Sequence, residues 1–250
     1  MRIAIATAAR PLLTAVAALL IFKVTLSTVI GYRDYLPPDF SADFLLGRES
    51  YFWGPYAWAF YAHLASGPVS LVLGTILISD RFRQSMPVWH KRLGRFQVAC
   101  VLLLVAPSGL WMAWYAMTGA VAAAGLGTLA IATAACTFVG WRMAVRRRFD
   151  EHRQWMWRMY LLLVSAVVIR IIGGLATVAQ FDGLWLYPLS AWASWLVPLA
   201  IYERWRSWTA TSPAHGYSAL SRASIETSAR NDGAVVAAST SMIEPSARTA

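Results

Sequence analysis

The sequence predicts an all-α fold: a polytopic integral membrane bundle of six transmembrane helices. Three observations carry that expectation. The first is composition, since 58% of the 250 residues are hydrophobic, only 14% are charged and the mean hydropathy is +0.50. A soluble domain has about a quarter of its residues charged. The second is length, because six apolar stretches reach the ~20 residues that cross a bilayer. The third is charge placement: Lys and Arg crowd into alternate connecting segments, as positive-inside topology requires.

The stretches follow in order. The run "PLLTAVAALLIFKVTLSTVIGY" supplies the first span, about 11–31. Arg2 and Arg10 precede it as they would in a signal peptide, but no small-x-small cleavage site closes the run, so it reads as a retained helix. The second, "FWGPYAWAFYAHLASGPVSLVLGTILI", covers 52–78. The third spans about 96–117, the fourth 121–142, the fifth 156–178 and the sixth 184–203. All are apolar nearly all round, as lipid-immersed helices are.

The connections orient the spans. Segment 79–95 carries Arg81, Arg83, Lys91, Arg92 and Arg95; segment 142–153 carries Arg142, Arg146, Arg147, Arg148 and Arg153. Segments 118–120 and 179–183 hold no Lys or Arg, and in 32–51 Arg33 and Arg48 are outnumbered by Asp34, Asp39, Asp43 and Glu49. The alternation predicts that both basic segments and both termini are cytoplasmic. The formal charge of +10 therefore reads as topology and contact with anionic lipid, not nucleic-acid binding. Three parts result: 1–51, the first helix and an acidic external loop; 52–206, a five-helix core; and 207–250, a cytoplasmic tail. The tail is rich in Ser, Thr and Ala and too poor in large apolar residues to offset ordering entropy, so it is expected to be disordered. Cys100 and Cys136, about five residues inside neighbouring spans, lack any metal-type or disulfide framework spacing and read as small packing residues.

Three histidines belong to the membrane body. His63 lies near mid-membrane in the second span. His90 and His152 sit at the mouths of the third and fifth spans, at matching depth by antiparallel counting. Paired imidazoles on neighbouring helices are how a bundle holds one b-type haem, with Arg95 and Arg158 as propionate partners. Interfacial His and Arg equally serve as headgroup anchors, and both readings stand.

His63 heads a stripe of small residues, Gly67, Ser70 and Gly74, on one helical face. Such a stripe lets helices approach closely, or leaves room for a quinone or other planar ligand beside the histidine. Pro68 cannot donate to the helix ladder and frees a carbonyl nearby. Arg158 snorkels to the interface. Arg170, roughly 18 Å further along its helix, cannot, and needs partners: helix carbonyls, Tyr61, Ser66 or Asp182. An arginine at that depth is a candidate ligand-binding residue together with His63 and Gly67. Nucleophile elbow, phosphate loop, zinc signature and acid–base carboxylate pair are all missing from the sequence, and no Asp or Glu enters a span before Glu203.

The segments "FYAHLASGPVSLVLGTILI", "WHKRLGRFQV", "SGLWMAW", "EHRQWMWRMYLLLVSAVVIRI" and "WASWLVPLAIYERW" stand in the order of a known family. Over about 55–206 the chain resembles the bacterial predicted-membrane-protein family catalogued as domain of unknown function 2306. The resemblance implies that His63, His90, Gly94, Arg95, His152, Trp155, Met156, Arg158, Arg170 and Glu203 are motif positions. Pro198 departs from it, standing where the family often has a polar residue such as Asn. The family brings no activity with it, and the chain's role stays open between three readings. These are a redox protein with one b-type haem, a non-enzymatic transporter or binder of a small ligand, lipid or quinone, and a structural or assembly factor.

Overall fold

The structure is a computed structural model that describes residues 2–42, 44–116 and 118–210, with side chains described from 14 to 209. Helix α1 (Arg2–Ile30) runs into a 3-10 turn (Gly31–Asp34). An irregular segment with the short α2 (Glu49–Phe52) leads to α3 (Pro55–Leu77), the short α4 (Asp80–Ser85) and α5 (Pro87–Cys100). A π-helical stretch (Val101–Val105) carries α5 into α6 (Ala106–Trp114). The antiparallel α7 (Ala120–Val145) and α8 (Phe149–Val178) follow, then α9 (Leu186–Ala210).

The protein is an all-α, multi-spanning bundle. Five runs are long and apolar enough to cross a membrane: Thr14–Asp34, Pro55–Leu77, Pro87–Trp114, Ala120–Val145 and Phe149–Val178. The 25 residues of α9 would also reach across. Its Tyr, Trp, Pro and Ser content lowers its hydropathy, and it is not among the five.

Two spans begin earlier than the apolar pattern suggests. The third starts at Pro87, whose fixed φ and missing N–H suit the first helical turn, so "WHKRLGRF" is helix and not loop. The fifth starts at Phe149, which puts His152 in its first turns. Both extensions carry basic side chains whose long stems keep the charge in water while the backbone stays helical. The loop between α7 and α8 is therefore only three residues. It closes on paired hydrogen bonds, Arg148 N–H to Met143 O and Arg147 N–H to Ala144 O, with Arg147 in the left-handed region at φ 59°. The far end of α8 closes the same way, Phe181 N–H to Ala176 O and Gln180 N–H to Thr177 O, with Gln180 at φ 51°.

Two apolar clusters hold the bundle. The central one packs Leu71, Val101, Val105, Met159, Leu162, Val167 and Trp195 from α3, α5, the π stretch, α8 and α9. An aromatic cluster at one end packs Leu45 and Phe52 against Tyr56 and Phe60, tying the 32–54 segment to α3. Cys100 and Cys136 are buried, and no disulfide joins them. Of the tail expected over 207–250, residues 207–210 are helical as the end of α9; residues 211–250, His215 included, lie outside the described residues. The described residues from Ala200 onward belong to a separate unit, in which Arg206 pairs with Glu203 at 3.4 Å.

Candidate functional site

Helix α3 presents Tyr56, Phe60, His63, Gly67 and Leu71 at successive one-turn intervals, so they share a face. That face forms one wall of a cavity of about 680 Å3 inside the bundle. The other walls come from Val24 and Thr28 of α1, Tyr32 of the 3-10 turn after it, Gly109 and Met112 of α6, Leu129 and Thr133 of α7, and Leu163, Ala166 and Arg170 of α8. Volumes of roughly 300–1,000 Å3 suit drug-sized ligands. From Tyr56 to Leu71 the cavity follows α3 for about 22 Å.

Its chemistry changes along that length. At the Leu71 end the walls are Leu71, Val24, Val105, Leu162 and Leu163. At the end beneath the 32–54 segment they include Arg48, Arg170, Tyr32, Tyr56 and Tyr187. Among the described lining residues there is no Asp or Glu.

His63 stands between the two ends. Its Nδ1 lies 3.0 Å from Ser108 Oγ, whose own proton goes to the carbonyl of Leu104. Nδ1 must then be the donor, which leaves Nε2 as the ring's unprotonated acceptor. The local backbone explains the pairing. Pro107 has no N–H for the i→i−4 ladder, and one turn before it the helix widens, with Ala106 N–H reaching Val101 O. That widening sets Ser108 and Gly109 against His63. A Cβ on Gly109 would come within 3.2 Å of His63 Cε1, so a side chain there would push the imidazole back by a few tenths of an ångström.

The small-residue stripe divides by role. Gly67 has nothing within 4 Å of where a Cβ would stand and lines the cavity. Gly74 instead packs against Tyr160, whose Cδ2 would be 3.0 Å from a Cβ. Ser70 is buried, donating to Cys100 Sγ at 3.3 Å, while its carbonyl accepts from Gln97 Nε2 at 3.0 Å.

Arg170 donates from Nη1 to Ala166 O at 2.8 Å, a carbonyl of its own helix. The other expected partners are engaged elsewhere: Tyr61 donates to Tyr35 O and Ser66 to Ala62 O, and among the described residues Arg170 forms no ion pair with Asp182. It lies within electrostatic reach of His63, Tyr32 and Tyr187.

Arg48, which the sequence presents as an ordinary loop charge, is the second cation of the cavity. Its Nε bonds Phe44 O, its Nη1 bonds Tyr51 Oη at 3.1 Å and Tyr115 O at 3.3 Å, and its guanidinium lies 4.6 Å from the Phe44 ring centre. Tyr56, 2% exposed, keeps a buried hydroxyl with no hydrogen-bond partner among the described residues. Arg48, Tyr56, Ser108 and Tyr187 escape a reading of the sequence. Only the "APSG" interruption of an apolar run signals one of them, Ser108.

At the opposite end of the bundle His90 and His152 come within electrostatic reach of each other. His152 Nδ1 lies 2.8 Å from Gly140 O, while His90 Nδ1 is buried with no partner among the described residues. Arg158 stacks over Trp155 at 4.5 Å, and Arg95 is exposed. Arg153 reaches across to Asp80 at 2.6 Å, fixing α4 to α8. Neither His90 nor His152 lines the cavity. Among the described residues no three His, Cys, Asp or Glu side chains gather as a metal site.

Residues 60–205, more than half of the chain, match the family described as Predicted membrane protein (DUF2306). No curated protein and no solved structure matches the chain.

Proposed function

Because the chain belongs to that family of predicted membrane proteins, we propose that it is a membrane-embedded binding protein for a small amphipathic ligand, a lipid or a quinone. The carrying observation is the single cavity lined by His63, Gly67 and Arg170. Its walls are preformed and mostly apolar, with a few polar groups converging at one end, as ligand sites generally are. His63 Nε2 offers an acceptor to the ligand, Arg170 a charged donor, and Gly67 the clearance for a flat ring or chain. Binding requires no covalent step, and the activity supported is capture or passage rather than catalysis. Short-chain quinones and single-chain lipids, added to the purified protein, are expected to raise its melting temperature. Arg170→Leu is expected to remove that shift, and a wild-type melting temperature indifferent to every such compound would end this reading.

In the same proposal α9 is the sixth span, and the chain sits in the bacterial inner membrane with both termini cytoplasmic. The basic segments at the His90 and His152 end support that orientation and a contact with anionic lipid there.

One observation favours a second reading, a single b-type haem between His90 and His152. Gly140 O holds His152 by Nδ1 and leaves Nε2 open, as an axial ligand requires. His90 fits less well, since its Nδ1 lacks a matching acceptor. Such a group would carry single electrons, with Arg95 and Arg158 nearby for its propionates. An absorption spectrum of the purified protein, oxidised and then reduced, decides this: a low-spin haem band lost in His90→Ala and His152→Ala supports it, and a featureless spectrum removes it.

A further inference from the structure

Two guanidinium groups and an orphaned phenol line one cavity, and among the described residues no carboxylate pairs with either arginine. Arg48 leaves Nη2, and Arg170 leaves Nε and Nη2, without an acceptor among the described residues. Both arginines line the same cavity as Tyr187 and act electrostatically on its hydroxyl. Tyr56 lies within reach of Arg48 and of Tyr187 as well. Its hydroxyl is a donor without an acceptor, on a side chain 2% exposed that lines the same cavity. A cation within a span, as Arg170 is, is costly until an anion or a shell of acceptors meets it, and a buried hydroxyl without a partner is costly too. A carboxylate or phosphate in this cavity accepts from guanidinium and phenol alike, the chemistry that these three groups share.

The remaining length of the cavity restricts what the anion is attached to. Beyond His63 the walls include Leu71, Val24, Leu162 and Leu163, which would bury an alkyl or isoprenyl chain, while the hydroxyls of Thr25, Thr133 and Ser165 in the lining each donate to a carbonyl of their own helix. We propose that the ligand is an anionic amphiphile, its carboxylate or phosphate held by Arg48, Arg170 and the Tyr56 hydroxyl and its chain laid past His63 toward Leu71. This rests on the ligand-binding reading above and names its chemical class.

The test uses the full chain in phosphatidylcholine nanodiscs, with unfolding followed by tryptophan fluorescence. The probes are dodecyl phosphate, laurate, dodecanol and inorganic phosphate. At about a hundredfold excess over Kd, dodecyl phosphate or laurate should raise the melting temperature by roughly 5 °C or more, with dodecanol giving less than half of that and inorganic phosphate nothing. Arg48→Gln and Tyr56→Phe should each remove at least half of the anionic probe's shift and leave the dodecanol shift unchanged. Tyr56→Phe keeps the ring, so it tests the hydroxyl even if Arg48→Gln loosens the 32–54 segment. Equal shifts with dodecanol and dodecyl phosphate overturn the anionic head while leaving the ligand-binding reading in place. A full shift with inorganic phosphate overturns the chain. No shift with any amphiphile overturns both.

Discussion

At the scale of single residues, the candidate site shows how little of a polar network is written locally. His63, Gly67 and Arg170 are conspicuous in the sequence because charge and small side chains are rare in a span. Arg48 and Tyr56 are not conspicuous, since an arginine in a loop and a tyrosine at a span end are what a membrane interface ordinarily holds. What distinguishes them is their surroundings: Arg48 is pinned by Phe44, Tyr51 and Tyr115, which carry it to the cavity, and the Tyr56 hydroxyl is buried without a partner. Those facts depend on residues up to 67 positions away in the chain. The orphaned hydroxyl makes a prediction for the ligand-free protein. An unpaired buried donor costs about 1–3 kcal/mol, so Tyr56→Phe should leave stability unchanged or raise it by about 1 kcal/mol. Equilibrium denaturation in mild detergent checks this, and a clear loss of stability would mean that the hydroxyl has a partner in the unliganded protein.

At the scale of elements, helix existence was legible and helix boundaries were not. Apolar length reveals a span, but the first turns of α5 and α8 carry His, Lys and Arg and resemble loop to a hydropathy argument. The widening at Val101–Val105 is invisible to any argument from apolar length, although Pro107 announces that the ladder must yield somewhere nearby. The ends of α8 offer a second test. Gln180 occupies the left-handed position of the closing motif, where a side chain with a Cβ is disfavoured and glycine is not. Gln180→Gly should therefore stabilise the protein by about 1 kcal/mol, read as a higher midpoint in thermal or chemical unfolding. A lower midpoint would show that the Gln180 side chain makes a contact worth more than the backbone strain.

At the scale of the whole molecule, charge alternation along the sequence agrees with the structure's hairpins. The 146–148 loop and the 79–86 region fall at one end, joined by the Arg153–Asp80 pair, and the 32–54 segment caps the other end of α3. Reporter domains fused within 146–148 and after Ala210 are expected to report the cytoplasm, and one inserted at 118–119 the opposite side. A reporter after Ala210 that faces outward would make α9 something other than a span. The five helices that meet the length and apolarity requirement were readable because the bilayer imposes both on each helix separately. The cavity was not, because it exists only where α1, α3, α6, α7 and α8 meet, and helix order around a bundle leaves no trace in hydropathy.

One wall of that cavity differs from the rest. Helix α1 contributes Val24 and Thr28 to the lining and the turn after it Tyr32, yet none of the Thr14–Asp34 span is buried. A wall held so lightly is where an amphiphile could slip in sideways from the surrounding leaflet, without crossing water at all. Occupancy would then follow the mole fraction of ligand within the membrane rather than its aqueous concentration, and diluting the sample in buffer would leave the bound fraction unchanged while diluting it with plain lipid would not.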